Sequence, residues 1–284
     1  MTNSWWRYAA CIGLLSGLTL GGTWLASHSW FETIRLSDYY HYQCDTVAVG
    51  EPAQVNKPRF HFLAVSSLYA DKIAEQLCHS AAIAARYSGV TVSWKPRWLL
   101  SPSEVLNEEY DLIWSRENAL RGLVPNYRDY YSLLLNFDNY SVSWFSKGTT
   151  PELSQDYFND KRVGILQDTL SQTHHLLPLV SLKNANIQLA EGQLVTFDDA
   201  SSLYAAFARG QVDLISGGEW LRAEIDAPLN SLFISDKVSA ASLFLRKRHA
   251  ADIECALIKA VTIYQKTLFS THLQLNHGQH CAIG

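Results

Sequence analysis

After Pro58 the apolar positions of this chain recur with two alternating periods. "RFHFLAV" (59–65) reads as a strand, and "SLYADKIAEQLCHSAAIAARYSG" (67–89) as a long amphipathic helix stopped by Gly89. "VTVSWKPRW" (90–98) alternates as a strand, "SPSEVLNEE" (101–109) predicts a short capped helix, and "YDLIWS" (110–115) a third strand. This βαβαβ order is most economically built as a parallel sheet with flanking helices. From Tyr130 to Lys147, "YYSLLLNF" and "YSVSWFSK" form two extended runs broken at Asp138-Asn139, which suits a crossing between two domains. A second series follows: strand 161–167, helix 171–180, strand 193–197, helix 199–209, strand 212–216 and helix 218–225. "SLFISDK" and "SAASLFLRK" are extended again, enough to cross back to the first domain, and a helix covers 250–269. There is no short repeat, only two α/β units of similar design.

Before Pro58 the pattern is different. Ala9 to Ser27 carries no charge, with Trp5, Trp6 and Arg7 ahead of it and Trp30 and Phe31 behind. Such a run has the length to span a bilayer and aromatics for both interfaces, and Arg7 keeps the N-terminus on the cytoplasmic side. A cleaved signal peptide is the competing reading, but no small-residue cleavage site stands near Ala26, which favours a retained anchor. Residues 28–56 are polar, Tyr-rich and without period, as in a linker.

Composition adds limits. With 284 residues, 48% hydrophobic and 18% charged, the chain can bury a substantial core. A formal charge of -4 and no Lys/Arg-rich run exclude nucleic acid as an expected partner. Outside the apolar run stand Cys44, Cys78, Cys255 and Cys281, an even number in an exported chain, which permits two disulfides in three connectivities. The expected pairing is Cys78 with Cys255, helix to helix, and Cys281 with Cys44.

The order and spacing of four stretches carry a family resemblance. They are "YDLIWS" (110–115), "DYFNDKRVGILQDTLSQTHHLLPLV" (156–180), "VTFDDASSLYAAFARGQVDLISG" (195–217) and the closing "SLFLRKRHAADIECALIKAV". Together they resemble the type 2 periplasmic solute-binding proteins, the two-lobed receptors of ABC importers and related sensors, over roughly residues 58–270. The resemblance implies an α/β fold of two lobes, each a mixed, mostly parallel sheet with flanking helices, preceded by one transmembrane helix. The implied organisation is 1–8 cytoplasmic, 9–27 transmembrane anchor or signal segment, 28–57 linker, 58–137 with 240–284 lobe one, and 138–239 lobe two. Where the family has Gly after the lobe-two strand, this chain has Asp168.

In such a fold ligands bind where the carboxyl ends of the parallel strands face each other. The lobe-two corner offers Thr169, Ser171, Gln172 and Thr173, and the matching lobe-one corner offers Ser66, Ser67 and Tyr69; helix capping alone also accounts for these hydroxyls. Trp114, Ser115 and Arg116 end the third strand, and the resemblance puts either Arg121 or Arg116 in the place of a carboxylate-gripping arginine. Gly217, Gly218, Glu219 and Trp220 end a lobe-two strand, where glycines allow close approach of backbone to ligand or simply make a tight turn. A carboxylate at Asp168 argues against a multiply charged anion at its corner. Asn136, Asp138 and Tyr140 are the hinge candidates.

Catalysis finds no support: there is no G-x-S-x-G, H-E-x-x-H, Walker loop or C-x-x-C. His174 and His175 would point about 100° apart on a helix, a poor pair for one metal. His272, His277, His280 and Cys281 lie close in sequence, but an oxidised Cys281 cannot ligate, so neither metal nor cofactor is expected. The implied protein is a non-enzymatic monomer, tethered as a single-pass protein to the inner membrane with its main domain in the periplasm. It would take a small anionic or zwitterionic solute and serve an inner-membrane permease, or else report to a membrane sensor.

Overall fold

The computed structural model describes residues 40–46, 57–249, 251–267 and 274–275. The expected span at 9–27, Cys281 and the histidines of the tail lie outside these residues. Among the described residues no helix is long and apolar enough to cross a membrane.

The strands are β1 (His41–Asp45), β2 (Arg59–Ala64), β3 (Gly89–Trp94), β4 (Leu112–Ser115), β5 (Tyr131–Asn136) and β6 (Tyr140–Ser146). They continue as β7 (Val163–Leu166), β8 (Leu194–Phe197), β9 (Leu214–Gly217), β10 (Asn230–Val238), β11 (Ser242–Arg246) and β12 (Gln274–Leu275). Two sheets result, one ordered β1-β3-β2-β4-β11-β5-β12 and one ordered β10-β6-β9-β7-β8. The chain leaves the larger sheet between Asn136 and Tyr140 and returns to it between Val238 and Ser242.

Parallel pairing is confined to the middle of the larger sheet, β3-β2-β4, and to β9-β7-β8 of the smaller one; the remaining pairings are antiparallel. The expectation of mostly parallel sheets is therefore corrected to mixed sheets. The reason lies in the connections. Only the strands joined through helices run parallel, whereas the long extended segments at 131–146 and 230–246 enter beside them antiparallel. Apolar runs mark the parallel core strands: Phe60 and Phe62, Leu112 to Trp114, and Val163 to Leu166 are all buried.

Local chemistry moves several boundaries. The long helix expected over 67–89 is two helices, Ala70–Cys78 and Ala81–Ala84, because Ser80 is extended (φ -80, ψ 123) between them. β3 stops at Trp94, ahead of Pro96, which lacks the N–H a continuing strand needs. Part of the expected linker is ordered: β1 pairs antiparallel with β3 along the sheet edge. A disulfide joins Cys44 of β1 to Cys78 at the end of the first helix. The Cys78–Cys255 pairing is thus corrected, and with it Cys44–Cys281. Cys255 is disulfide-bonded as well. The bond ties an edge strand to the helix that covers its sheet, where the Tyr42 hydroxyl also donates to Glu75 at 2.9 Å.

The smaller sheet rests on a buried polar chain. After Ser171 the backbone makes a π-helical turn, Gln172–Leu176, closed by the Leu176 amide donating to the Ser171 carbonyl at 2.9 Å. Donor and acceptor types fix the order of the chain beneath it. Trp220 Nε1 can only donate, and does so to Tyr204 Oη at 3.0 Å; Tyr204 donates to His174 Nε2 at 3.0 Å. His174 Nδ1 therefore carries the proton and donates to the Ser216 carbonyl at 2.7 Å, while Ser216 Oγ donates to the Thr173 carbonyl at 2.6 Å. Burial pushes the His174 imidazole down to about 4, so it stays neutral. His175 turns elsewhere, to the Leu166 carbonyl at 2.7 Å.

Two outcomes are expected. The Cys44–Cys78 bond spans 34 residues of sequence, so the Cys44→Ser/Cys78→Ser double variant should lose about 3–4 kcal/mol in denaturant unfolding. An unchanged midpoint would mean that the edge strand is held by its ladder alone. His174 titrates lower in the folded state than in the unfolded one, so between pH 6.5 and about 4 only the unfolded chain takes up this proton. Stability should fall as pH drops through that window by roughly 3 kcal/mol from this group. His61, lowered by its own burial, adds with the same sign. The His174→Gln variant should show a shallower loss of stability over the same range, read as the difference between the two pH profiles.

Candidate functional site

The carboxyl ends of β2 and β4 face the carboxyl end of β7, and two cavities meet there. The central one, about 90 Å³, is bounded by Ser66, Arg116, Tyr140, Asp168, Thr173 and Trp220, among others. A larger one of about 450 Å³ opens beside it, and the two share Val65, Arg97, Trp114 and Arg116 as a common wall.

Charge organises this wall. Asp168 is buried, yet its carboxylate is satisfied: Oδ2 faces Arg97 Nη1 at 3.3 Å and Oδ1 accepts from the Leu170 amide at 3.1 Å. Arg97 also donates to the Leu170 carbonyl at 3.4 Å, as does Arg116 Nη1 at 3.4 Å. Beyond that one long bond Arg116 is poorly served. Its Nε is buried without a hydrogen bond, and no carboxylate among the described residues forms an ion pair with it. Burial, with the Arg97 charge beside it, pushes its guanidinium below the ordinary value, although an arginine stays protonated near neutral pH. Two cations and one anion thus meet at the wall, leaving a net single positive charge.

The lobe-two corner is largely occupied with itself. Asp168 makes the local turn, and Ser171 Oγ caps the following turn by accepting from the His174 amide at 3.3 Å. Thr173 is buried, its hydroxyl bonded to that of Tyr140, and Thr169 is exposed and lines neither cavity. Ser171 and Thr173 border the central cavity and Gln172 the larger one.

The remaining candidates divide clearly. Ser66 borders the central cavity, with its Oγ accepting from the Leu68 amide at 3.3 Å. Trp114 is buried with Nε1 donating to the Ala240 carbonyl at 2.9 Å, and it reaches both cavities; Ser115 reaches only the larger. Trp220 borders the central cavity and stacks at a tilt on Tyr140, ring centroids 5.2 Å apart. Between the two arginine candidates the geometry separates Arg116, on the common wall, from Arg121, exposed in the last turn of helix Glu117–Leu123. Ser67 and Tyr69 line neither cavity. Ser67 Oγ meets Ser201 Oγ at 2.6 Å and Tyr69 Oη bonds to Glu224, so both bridge the larger-sheet side to the smaller-sheet side. Glu219 turns out to solvent against Arg222 at 2.7 Å. A Cβ on Gly217 would meet Leu221 Cδ1 at 2.1 Å, and one on Gly218 the Trp220 ring at 1.9 Å, so these glycines serve a tight turn. Asn136, Asp138 and Tyr140 lie at the crossing between sheets, where Asn136 accepts from Ser242 Oγ at 2.5 Å.

Sequence reasoning missed Arg97, Tyr204 and His174 as parts of the site. Arg97 had a visible signal, a basic and aromatic cluster "KPRW" directly after an alternating strand. The Tyr204 and His174 pairing joins two helices distant in sequence and leaves no local trace.

No protein-family model matches the chain, and no curated protein matches its sequence. Among solved structures, it is similar to a binding protein component of an ABC phosphonate transporter from Pseudomonas aeruginosa, at 14% identity, covering 78% of this chain and 82% of that one with a TM-score of 0.53. It is also similar to PhnD1 from Prochlorococcus marinus in complex with methylphosphonate, at 12% identity, 72% and 84% coverage and a TM-score of 0.48. An amino acid ABC transporter substrate-binding protein from Streptococcus pneumoniae bound to L-arginine matches at 11% identity, 73% and 89% coverage and a TM-score of 0.41. At these identities the likeness is one of fold, and the fold this chain shares with the first of these proteins is that of the two-lobed periplasmic binding proteins.

Proposed function

We propose that the chain is an extracytoplasmic solute-binding protein that takes a small anionic or zwitterionic solute between two lobes, 58–137 with 240–284 and 138–239. The reading includes a single-pass anchor in the inner membrane, a monomeric domain on its outer side, and delivery of the solute to an ABC-type permease. The observation that carries it is Arg116, a half-buried guanidinium at the carboxyl ends of parallel strands, whose buried Nε has no hydrogen bond and which forms no ion pair with a carboxylate among the described residues. A half-buried cation with an unsatisfied Nε offers a donor to an anion that brings its own acceptors. The neighbouring Arg97–Asp168 pair supplies the dipole that a zwitterion needs, cation beside carboxylate. A binding protein of a phosphonate transporter sharing this fold agrees with an anionic solute.

A second reading, an adaptor of the same fold that reports to a membrane partner, is favoured by the direct contacts Ser67 to Ser201, Tyr69 to Glu224 and Arg97 to Asp168. With these in place the central cavity of about 90 Å³ falls below the roughly 300–1,000 Å³ of ordinary ligand pockets.

The two readings part in a thermal-shift screen of the full chain against amino acids, monocarboxylates and phosphonates, with calorimetry on the hits. On the receptor reading an anionic solute raises the melting temperature, and Arg116→Ala weakens it by about 10- to 150-fold, the worth of a hydrogen bond to a charged group. A folded Arg116→Ala protein that binds as tightly as the parent would remove the receptor reading's support. A folded parent that binds nothing in the set would leave the adaptor.

A further inference from the structure

We infer that the solute is a monoanion with an apolar body, its carboxylate on Arg116 and its body in the 450 Å³ cavity rather than in the central one. This inference rests on the receptor reading and adds the substrate class to it. Volume is the first argument. Only the larger cavity falls within the roughly 300–1,000 Å³ that a bound small molecule ordinarily occupies.

The character of the walls is the second. Leu100, Trp114, Leu123, Leu170 and Leu176 are among its lining residues, and Leu170 and Leu176 are exposed large apolar side chains at its edge. Trp98, 55% exposed on the opposite side, completes an apolar rim drawn from both sheets' loops. A sugar or polyamine would leave its hydroxyls or amines unpaired against such walls.

Charge is the third argument and limits the head group. Three cations border the cavity, but Lys95 is paired with Glu104 and Arg97 with Asp168. Arg116 alone is left, which matches one negative charge and not two. Ser115, Asn118 and Gln172 add neutral polar groups to the lining.

Gly122 provides the means of testing the volume argument. It lines the cavity from helix Glu117–Leu123, and a Cβ built there meets nothing within 4 Å. A large side chain therefore has open space at this position beside the cavity.

The experiment is calorimetry on the full chain with acetate, butyrate, hexanoate, octanoate and 3-phenylpropionate, with octanol and octylamine as head-group controls. Each methylene buried should tighten binding about fourfold, so octanoate should exceed butyrate by about two orders of magnitude. Octanol and octylamine should bind far more weakly than octanoate. Gly122→Phe should flatten the series, and Arg116→Ala should weaken every acid in it. A flat series in the parent that still depends on Arg116 would overturn the apolar-body inference and leave the receptor reading standing. A folded parent that binds no acid here, and no solute in the wider screen, would overturn both.

Discussion

The site depends on an imbalance of one charge. Arg97 and Asp168 neutralise each other across the cleft, and Arg116 stands beside them without a carboxylate of its own among the described residues. Partial burial makes such a cation costly where nothing pairs with it, and its buried Nε has no hydrogen bond. Here it directly follows β4, as the N-cap of helix Glu117–Leu123, and β4 itself pairs with β2 at Leu112 and Ile113 and with β11 as far as Ser115. The Arg116 side chain reaches the wall common to both cavities, where Nη1 donates to the Leu170 carbonyl at 3.4 Å.

The opposing wall is held by different means. The turn from Asp168 to Leu176 lies between the sheets' loops and makes its own internal bonds: a carboxylate turn, a serine cap and a π-helical step. The π step adds a residue to the turn and so directs His174 inward and His175 toward the Leu166 carbonyl. A neutral His174 then links helix Ala200–Ala208 to β9 through Tyr204 and the Ser216 carbonyl. Every member of this chain has a partner of the right donor type, so its burial costs little and its geometry is unique.

Much of the architecture was legible because it rests on local patterns. Strand-length apolar runs and a Ser cap followed by Glu, realised at Ser101 and Glu104, mark elements that the structure contains. Ser171, beyond the end of β7, and Trp114, near the end of β4, were singled out because in an α/β sheet the carboxyl ends of strands are where side chains meet a cleft, and both border the central cavity. The failures share one cause, distance along the chain. Cys44 was read as tail-bound because nothing local shows that 41–45 is a strand on the sheet edge beside Cys78. Ser67 and Tyr69 meet Ser201 and Glu224, partners more than a hundred residues away that no local pattern shows. Gly217 and Gly218 look permissive until the Leu221 and Trp220 side chains are seen to fill their space.

The same contacts that narrow the central cavity also set how readily it could open. Ser67 to Ser201 is exposed, and the Tyr69 to Glu224 bond lies at the surface. A typical hydrogen bond contributes about 0.5–1.5 kcal/mol net. Tyr69 makes its contact from left-handed backbone, φ 60, a conformation that costs a non-glycine residue roughly 1–2 kcal/mol. A solute that engages Arg116 on one side and Leu170 and Leu176 on the other would touch both halves at once. On the receptor reading, contacts made fully only when the halves are together would favour the closed form, and a complete population shift of that kind takes roughly 5.5 kcal/mol of differential binding.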